Sequence, residues 1–257
     1  MIGIKKHIEN LEKNGITFLS NQFSIRECNL YKKKFKKIIV NFKKKKVPIN
    51  PECLLIRNPY RHDISLSKLI YNKNVDLILS HFIGKDHILA NSTIINRKLT
   101  NNVLKQSSNM GNTWHTDSHY LNGKRLEKGM TFVVIILFDD FTKKNGGTVY
   151  LPKSHNKRSI PKRNGSYEKD SKVIEAKAGS IVIIDGGIWH KGGNPTYEDR
   201  WSMFSYYAPW FIKPYFRFPE MLGEKFGKKT NKYLKRLFHY NSTPPLNEEE
   251  SIYTLRY

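Results

Sequence analysis

The second half of the chain consists of short β-rich runs that are separated by clusters of glycine, proline, asparagine and aspartate. Between residues 87 and 212 these runs are ILANSTIINRKL, MTFVVIILFDD, GGTVYLP, KVIEAKA, SIVIIDG and RWSMFSYYAPW. Short strands with frequent turn signals are typical of an all-β sandwich or barrel. Because FVVIILF is almost entirely apolar, this strand is predicted to be buried on both faces of its sheet.

Helical patterns flank this β region on both sides. Apolar residues recur at helical spacing before Gly15, where a short strand signal, ITFL, follows. Ser24 is placed to cap a helix through YKKKFKKIIVNFKKKK, and residues 75–82 indicate another helix that ends at Gly84. The run PEMLGEKFGKKTNKYLKRLF predicts further helix near the C-terminus. We therefore predict one domain over residues 1–257, with a mainly helical part (1–86), a β core (87–212) and a helical C-terminal part (213–257).

The charge balance of the chain is strongly basic, with 45 Lys and Arg against 22 Asp and Glu and a net charge of +23. Such a field attracts anionic small molecules and nucleic acids. Lysines dominate the excess, whereas nucleic-acid recognition relies on the two-point contacts of arginine. We therefore interpret the excess first as compositional bias, then as attraction for an anionic small-molecule substrate, and last as nucleic-acid binding. The helix with nine lysines between Lys32 and Lys46 is expected to bury one apolar stripe, formed by Leu30, Phe35, Ile38, Ile39 and Phe42.

Composition excludes several other classes of protein. Two cysteines, Cys28 and Cys53, cannot form a disulfide framework or a four-thiolate zinc site. No run approaches the 18 apolar residues of a membrane span, and the first residues, MIGIKKHIENLEK, are polar and charged. A cytoplasmic location is the expectation.

The run WHTD places His115 and Asp117 two residues apart. In an extended segment these two side chains point to the same face, so an imidazole and a carboxylate converge on one point. Together they supply two thirds of a 2-His-1-carboxylate triad, which binds Fe(II) on one face and leaves positions open. Alone, this pair is a weak signal.

A second histidine and an arginine strengthen the signal. His190 follows the predicted strand SIVIIDG and a Gly-Gly turn, a position that suits the mouth of a barrel. Arg200 comes ten residues later and shares a strand face with Ser202. An arginine fork beside a hydroxyl is suited to the far end of a dicarboxylate.

In their order along residues 112–209, these pieces resemble the phytanoyl-CoA dioxygenase family of Fe(II)/2-oxoglutarate-dependent oxygenases. The matching motifs are WHTDSHY, NGGTVYLPKSH, AGSIVIIDGGIWHKGG and DRWS. The resemblance implies a mainly β fold with flanking helices, built on a double-stranded β-helix of the jelly-roll, cupin-like type. It also implies Fe(II), 2-oxoglutarate and O2 as cofactor and cosubstrates.

The resemblance assigns roles to particular residues. The iron ligands that it implies are His115, Asp117 and His190. Arg200 would bind the distal carboxylate of 2-oxoglutarate with the help of Ser202, and Thr148 would add a further contact. The residue that binds the near carboxylate is poorly marked, although Asn96 and Lys98 lie in the right general strand.

Two other histidines lie close to these motifs. His119 extends the run to His-x-Asp-x-His, but a triad of neighbours is cramped, so it is interpreted as a pocket residue. His155 is expected to orient a loop. The aromatic residues beside the presumed ligands are interpreted first as core packing and then as pocket walls; these are Trp114, Tyr120 and Trp189.

The predicted function is hydroxylation of a small molecule, coupled to conversion of 2-oxoglutarate to succinate and CO2. A zinc hydrolase could also use two histidines and a carboxylate, but it would not explain Arg200. Two further functions stay open: an oxygenase that acts on nucleic acid, and a binding module that retains a metal site without turnover.

Overall fold

The computed structural model describes residues 2–46, 53–97, 112–118, 120–121, 124–125, 130–193 and 198–242. The helices are α1 (Ile2–Asn14), α2 (Ile25–Lys44), α3 (Lys73–Ile83), α4 (Phe218–Lys229) and α5 (Lys232–Leu237). The strands are β1 (Ile16–Leu19), β2 (Cys53–Arg57), β3 (Ile88–Arg97), β4 (Tyr120–Leu121), β5 (Lys124–Arg125), β6 (Phe132–Leu137), β7 (Val149–Leu151), β8 (Lys172–Val173), β9 (Ile181–Asp185), β10 (Trp189–Lys191) and β11 (Arg200–Ala208).

Two antiparallel sheets form the centre of the molecule. The larger sheet has the strand order β1-β9-β6-β11-β3-β2, and the smaller has the order β10-β7-β8. A backbone bridge between His115 and His190 adds the segment before β4 to the edge of the smaller sheet. Apolar side chains from both sheets meet in one core between them. This arrangement confirms the predicted double-stranded β-helix with flanking helices.

Strand β6 shows why its sequence is apolar throughout. Residues 133, 135 and 137 point into the core between the two sheets, and residues 132, 134 and 136 pack under the helices. All six are buried, as the sequence predicts. A strand in this position has no polar face, because each alternate set of side chains meets a different apolar layer.

Helix α2 covers the outer face of the larger sheet. It begins at Ser24, the N-cap that the sequence predicts, and Glu27 completes a capping box: the Ser24 hydroxyl accepts from the Glu27 amide at 3.2 Å, and the Ser24 amide donates to the Glu27 carboxylate at 2.8 Å. Its buried residues include Phe35 and Ile38, but Leu30 is 51% exposed, so the expectation that Leu30 belongs to the apolar stripe is wrong. Cys28 is buried instead.

Several elements differ from expectation. Strand β2 lies in the part predicted to be mainly helical. The run CLLIR has no alternation of polar and apolar residues, so the sequence does not indicate an edge strand there. The run KVIEAKA contributes only the short β8 and a bridge from Ala176 to Phe141. The C-terminal helical run divides into α4 and α5, because Asn231 caps a new helix through the amides of Tyr233 and Leu234. Within the described ranges no helix is long and apolar enough to cross a membrane.

Candidate metal centre

His115 and His190 are brought together by backbone pairing between distant segments. The amide of each donates to the carbonyl of the other at 3.0 Å. Residues that exchange both hydrogen bonds lie directly opposite one another, with their side chains on the same face. The two imidazole centroids are 4.3 Å apart.

Asp117 joins this pair from the same segment as His115. The amides of Asp117 and Ser118 both donate to the carbonyl of Gly186 at 2.8 Å, which fixes the segment against the turn between β9 and β10. As a result, Asp117 Oδ2 lies 3.2 Å from His190 Nε2. One ligand atom from each of the three residues lies within 4.8 Å of the other two. The convergence predicted from the His-x-Asp spacing is therefore present.

Hydrogen bonds on the far side of each ring orient the histidines. Nδ1 of His115 donates to the carbonyl of Thr113 at 2.8 Å, and Nδ1 of His190 donates to the carbonyl of Ile188 at 3.0 Å. Because a carbonyl only accepts, each neutral ring carries its proton on Nδ1 and presents the Nε2 lone pair to the cluster. This is the tautomer that a metal ligand requires.

The electrostatics of the cluster favour a cation at its centre. Burial lowers the pKa of His115, and His190 lowers it further. Burial alone would raise the pKa of Asp117, but the charge interaction with His190 lowers it below its ordinary value. Asp117 in turn raises the pKa of His190 against the effect of burial. The Asp117 carboxylate therefore stabilises positive charge in the region that the three ligand atoms face.

Arg200 is buried near this cluster, 3% exposed, at the start of β11. Its Nε donates to the carbonyls of Asn145 and Gly146 at 3.1 and 3.0 Å, and Nη2 also donates to Gly146. Nη1 donates to the Ser202 hydroxyl at 3.4 Å, and the guanidinium lies 3.9 Å from the centroid of the Phe141 ring. These contacts leave one N–H on each terminal nitrogen without a partner among the described residues. The Arg200 guanidinium is therefore fixed along one edge and keeps two N–H donors for an anion.

The Gly-Gly-Thr motif explains how these carbonyls reach Arg200. Gly146 has φ +74°, a left-handed conformation that glycine adopts without strain. Gly193, after β10, passes so close to this turn that a Cβ there would lie 2.3 Å from the carbonyl oxygen of Gly147. Thr148 follows directly, is 3% exposed, and lines the cavity beside the cluster.

A cavity of about 450 Å³ connects the cluster with Arg200. It is lined by His115, His190, Thr148 and Arg200. Ser202 is fully buried and is connected to the cavity by its hydrogen bond with Arg200. A volume of this size is typical of small-molecule sites. The cavity continues past the cluster along the inner faces of β2, β3 and β11.

Arg97 is a cavity residue that sequence reasoning missed. It pairs in register with Arg200 across β3 and β11 and is 6% exposed. The neighbouring Asn96 points to the other face, where its amide donates to the carbonyl of Arg200, so Asn96 does not line the cavity; Lys98 lies outside the described residues. Burial lowers the pKa of Arg200, and Arg97 lowers it further, because two cations lie side by side. This end of the cavity favours an anion.

The remaining candidates have other positions. His119 lies outside the described residues, as does the side chain of Tyr120. The ring of His155 is hydrogen-bonded to the carbonyl of Glu12 at 3.0 Å and lies outside the cluster, which agrees with a structural role. Trp114 and Trp189 pack together with Leu151 in a small core beside the cluster.

The fold and the cluster together define the class. A double-stranded β-helix with two histidines and a carboxylate beside its cavity is the architecture of the Fe(II)/2-oxoglutarate-dependent oxygenases. The sequence model described as phytanoyl-CoA dioxygenase matches residues 11–200, and the chain belongs to that family.

Individual relatives agree with this assignment. The dioxygenase af480 of Aspergillus fumigatus is 35% identical over 107 residues, which cover 40% of this chain and 34% of that protein. An uncharacterised protein of Mycobacterium tuberculosis is 29% identical over 104 residues, which cover 39% of this chain and 37% of that protein. The matched part thus spans about a third of the length of these relatives.

Solved structures share the fold at low sequence identity. The epimerase SnoN, in complex with Fe3+, alpha ketoglutarate and nogalamycin RO, has a TM-score of 0.64 and 10% identity, covering 83% of this chain and 87% of that chain. HygX from Streptomyces hygroscopicus, with nickel, 2-oxoglutarate and hygromycin B, has a TM-score of 0.63 and 11% identity, covering 85% of this chain and 94% of that chain.

Proposed function

We propose that the protein is an Fe(II)- and 2-oxoglutarate-dependent dioxygenase that hydroxylates a small molecule and releases succinate and CO2. His115, Asp117 and His190 are the proposed metal ligands. The observation that carries this proposal is the state of Asp117 Oδ2, which is buried and has no hydrogen-bond partner among the described residues although His190 Nε2 lies only 3.2 Å away. A cytoplasmic location remains a prediction.

The donor set fits a divalent metal ion. Two Nε2 lone pairs and one carboxylate oxygen face the same point, and three acceptors so close together repel one another in a buried site. A cation removes that repulsion and satisfies the orphaned oxygen. Two imidazoles and a carboxylate on one face are the ligands of non-haem Fe(II) oxygenases.

Arg200 is the proposed anchor for the distal carboxylate of 2-oxoglutarate. Its two unpaired N–H groups form the two-point fork that a carboxylate prefers. Ser202 and the carbonyls of Asn145 and Gly146 hold the guanidinium in a single orientation, and Thr148 lines the same part of the cavity. Arg97 adds positive charge beside Arg200. This arrangement would bind the cosubstrate in one direction between Arg200 and the metal.

When bound, iron and 2-oxoglutarate would supply the activation of O2 and the oxidation of the substrate. The residues of this chain bind, orient and exclude water. Phe204 forms part of the cavity wall, and Trp114 and Trp189 pack beside the cluster. Burial and the nearby Asp117 carboxylate raise the pKa of Tyr206 well above its ordinary value, so its phenol stays protonated in the cavity.

The known activities of similar structures leave the outcome of the reaction to experiment. SnoN is an epimerase, SnoK is a carbocyclase, and HygX was solved with hygromycin B. Their shared fold supports a small-molecule substrate for the present chain. Incorporation of one oxygen atom from 18O2 into the product would establish hydroxylation, and a product without it would contradict that part of the proposal.

Metal-dependent stability tests the ligand assignment. The wild-type protein should melt at a higher temperature with Ni(II), by an increment that corresponds to about 2.7 kcal/mol at a hundredfold excess over the dissociation constant. Anaerobic Fe(II) with 2-oxoglutarate should then give the weak visible charge-transfer band of a chelated ferrous centre. Asp117→Ala should lose both signals.

Asp86→Ala is the matched control, since Asp86 is an exposed carboxylate outside the cluster and should change neither signal. An Asp117→Ala variant that keeps the stabilisation by Ni(II) would contradict the ligand assignment. Tight zinc binding by the wild-type protein without the visible band would favour a hydrolase.

A further inference from the structure

We propose that the primary substrate carries an oxyanion, either a carboxylate or a phosphate group, which binds Arg57 at the end of the cavity opposite Arg200. Asn91 accepts a hydrogen bond from the same molecule. This inference rests on the proposed function, because it assumes that 2-oxoglutarate occupies the Arg200 end.

Strand register separates the cavity into two ends. At one end Arg97 pairs with both Arg200 on β11 and Cys53 on β2. Four residues further along β3, Thr93 pairs with Arg57, and the next residue on this face is Asn91. At about 3.3 Å per residue the two ends are roughly 13 Å apart.

2-Oxoglutarate is too short to occupy both ends. Its four C–C bonds of about 1.5 Å each give a chain of roughly 6 Å. A molecule that is anchored at Arg200 and reaches the metal therefore leaves the Arg57 end empty. That end belongs to the cavity lining and lies four residues along β3 from the Arg200 end, where a second molecule would bind.

The chemistry of Arg57 points to an anionic partner. Arg97 and Arg200 are both buried and hydrogen-bonded to backbone carbonyls, so their guanidiniums are held in place. Arg57 is exposed, lines the cavity, and makes no hydrogen bond or ion pair with any residue that the structure describes. Its fork can therefore bind a carboxylate or phosphate without giving up an existing contact.

Charge in the cavity leads to the same conclusion. The described lining residues include three arginines and no acid. Of the acidic groups near them, Asp117 belongs to the metal cluster, and Asp139, whose charge reaches Arg200, is neutralised by its ion pair with Lys32. The charges of a divalent metal and a 2-oxoglutarate dianion cancel. The three arginines and the Asp117 carboxylate then leave a net charge of +2 in the cavity. A substrate with one or two negative charges offsets this excess.

Asn91 adds a second, polar requirement. Its Oδ1 is buried and has no hydrogen-bond partner among the described residues, and Asn91 lines the cavity opposite Tyr206 on β11. A buried acceptor without a partner destabilises the site, and a ligand hydroxyl or amide would supply the missing hydrogen bond. Phe204 and Phe216 supply apolar walls between these polar points. The substrate thus combines an oxyanion and a hydrogen-bond donor with an apolar body.

Binding of simple probes to protein loaded with Ni(II) and 2-oxoglutarate tests the inference by isothermal titration calorimetry. The probes are phenylacetate, phenylphosphate and the neutral phenylacetamide. We expect at least one of the anions to bind ten times more tightly than phenylacetamide. A preference for phenylphosphate would identify a phosphorylated substrate, and a preference for phenylacetate would identify a carboxylate.

Variants assign the effect to Arg57. Arg57→Gln should weaken binding of the preferred anion about tenfold and leave 2-oxoglutarate affinity unchanged, whereas Arg57→Lys should retain part of the preference. Asn91→Asp, which adds a negative charge at the same end, should weaken anion binding as well. Arg61→Gln is the matched control, since Arg61 is an exposed arginine four residues away and outside the cavity lining.

Several outcomes would overturn the inference. They are equal binding of phenylacetamide and the anions, no binding of either anion, and equal effects of Arg57→Gln and Arg61→Gln. Loss of 2-oxoglutarate affinity in Arg57→Gln would assign Arg57 to the cosubstrate instead. Failure of the proposed function has a different signature, since wild-type protein loaded with Ni(II) would then not bind 2-oxoglutarate at all.

Discussion

Replacement of Arg200 by lysine separates cosubstrate binding from metal binding. Lysine keeps the positive charge but presents a single ammonium group, so it loses the two-point geometry of the fork. Arg200 has one N–H on each terminal nitrogen available for a carboxylate. The variant is therefore expected to lose one charge-assisted hydrogen bond to 2-oxoglutarate.

The magnitude follows from the value of such a bond. Hydrogen bonds to charged groups contribute about 1.5–3 kcal/mol, and each 1.4 kcal/mol corresponds to a tenfold change in affinity. Arg200→Lys should therefore weaken 2-oxoglutarate binding about tenfold to a hundredfold. Metal affinity in the absence of 2-oxoglutarate should change less than about twofold, because Arg200 contacts none of the three proposed ligands.

Calorimetric titration of Ni(II), and then of 2-oxoglutarate into the loaded protein, measures both affinities. Thermal melting is needed in parallel, since the carbonyls of Asn145 and Gly146 lose donors when the guanidinium is removed. Arg217→Lys is the matched control, because the Arg217 side chain is 83% exposed and pairs with Glu220 at the surface. Equal losses of metal and 2-oxoglutarate affinity, or an unchanged 2-oxoglutarate affinity, would refute the assignment of Arg200 to the cosubstrate.

Three further predictions concern other parts of the molecule. Ser202→Ala should lower 2-oxoglutarate affinity about two- to tenfold in the same titration, because it removes the long hydrogen bond of 3.4 Å that orients the Arg200 guanidinium and no proposed contact with the carboxylate; no change would mean that Arg200 keeps its orientation without Ser202. Asp76→Asn should lower the free energy of unfolding by about 1–3 kcal/mol at pH 7, because Asp76 pairs with Arg236 and His87 where its side chain is 16% exposed. Burial raises the pKa of Asp76, but His87 and Arg236 lower it below its ordinary value, so this contribution to stability is present above about pH 4 and is lost as the pH falls further. Urea unfolding of both proteins at pH 7 and pH 3 measures it. The same difference in unfolding free energy between wild type and Asp76→Asn at the two pH values would contradict the pairing. Neutral replacements of the four lysines Lys43–Lys46 should leave succinate formation unchanged and DNA binding weak; a submicromolar, selective complex that these changes destroy would make nucleic acid the leading substrate class.

Features that depend on neighbouring residues could be predicted from the sequence. The Ser24 cap of α2 and the apolar run of β6 each rest on residues within one short segment. The same holds for the shared face of His115 and Asp117, which follows from their spacing. Their pairing with His190 came from the resemblance to a family, because spacing alone cannot bring together residues 75 positions apart.

Features that depend on strand register could not be predicted. Arg97 and Arg57 enter the cavity because β2, β3 and β11 pair in one particular register. A shift of one residue would turn Asn96 inward instead of Arg97, and nothing in the run ILANSTIINRKL fixes that choice locally. Leu30 is exposed for a related reason, because the apolar residues of α2 cover a wider arc of the helix than the part that faces the larger sheet.

The backbone pairing of His115 with His190 has a consequence for how the protein acquires its metal. Closing a loop of 75 residues costs an otherwise free chain about 4.5 kcal/mol of entropy. In this molecule the two backbone hydrogen bonds and the surrounding strands close that loop, and none of these contacts involves a metal-ligand atom. A bound ion therefore meets a ligand set that is already assembled, unlike the metal of a zinc finger, which must organise its own fold. Iron should consequently leave and return on a folded chain, so that stored protein loses activity through metal loss well before it loses structure, and added Fe(II) restores it.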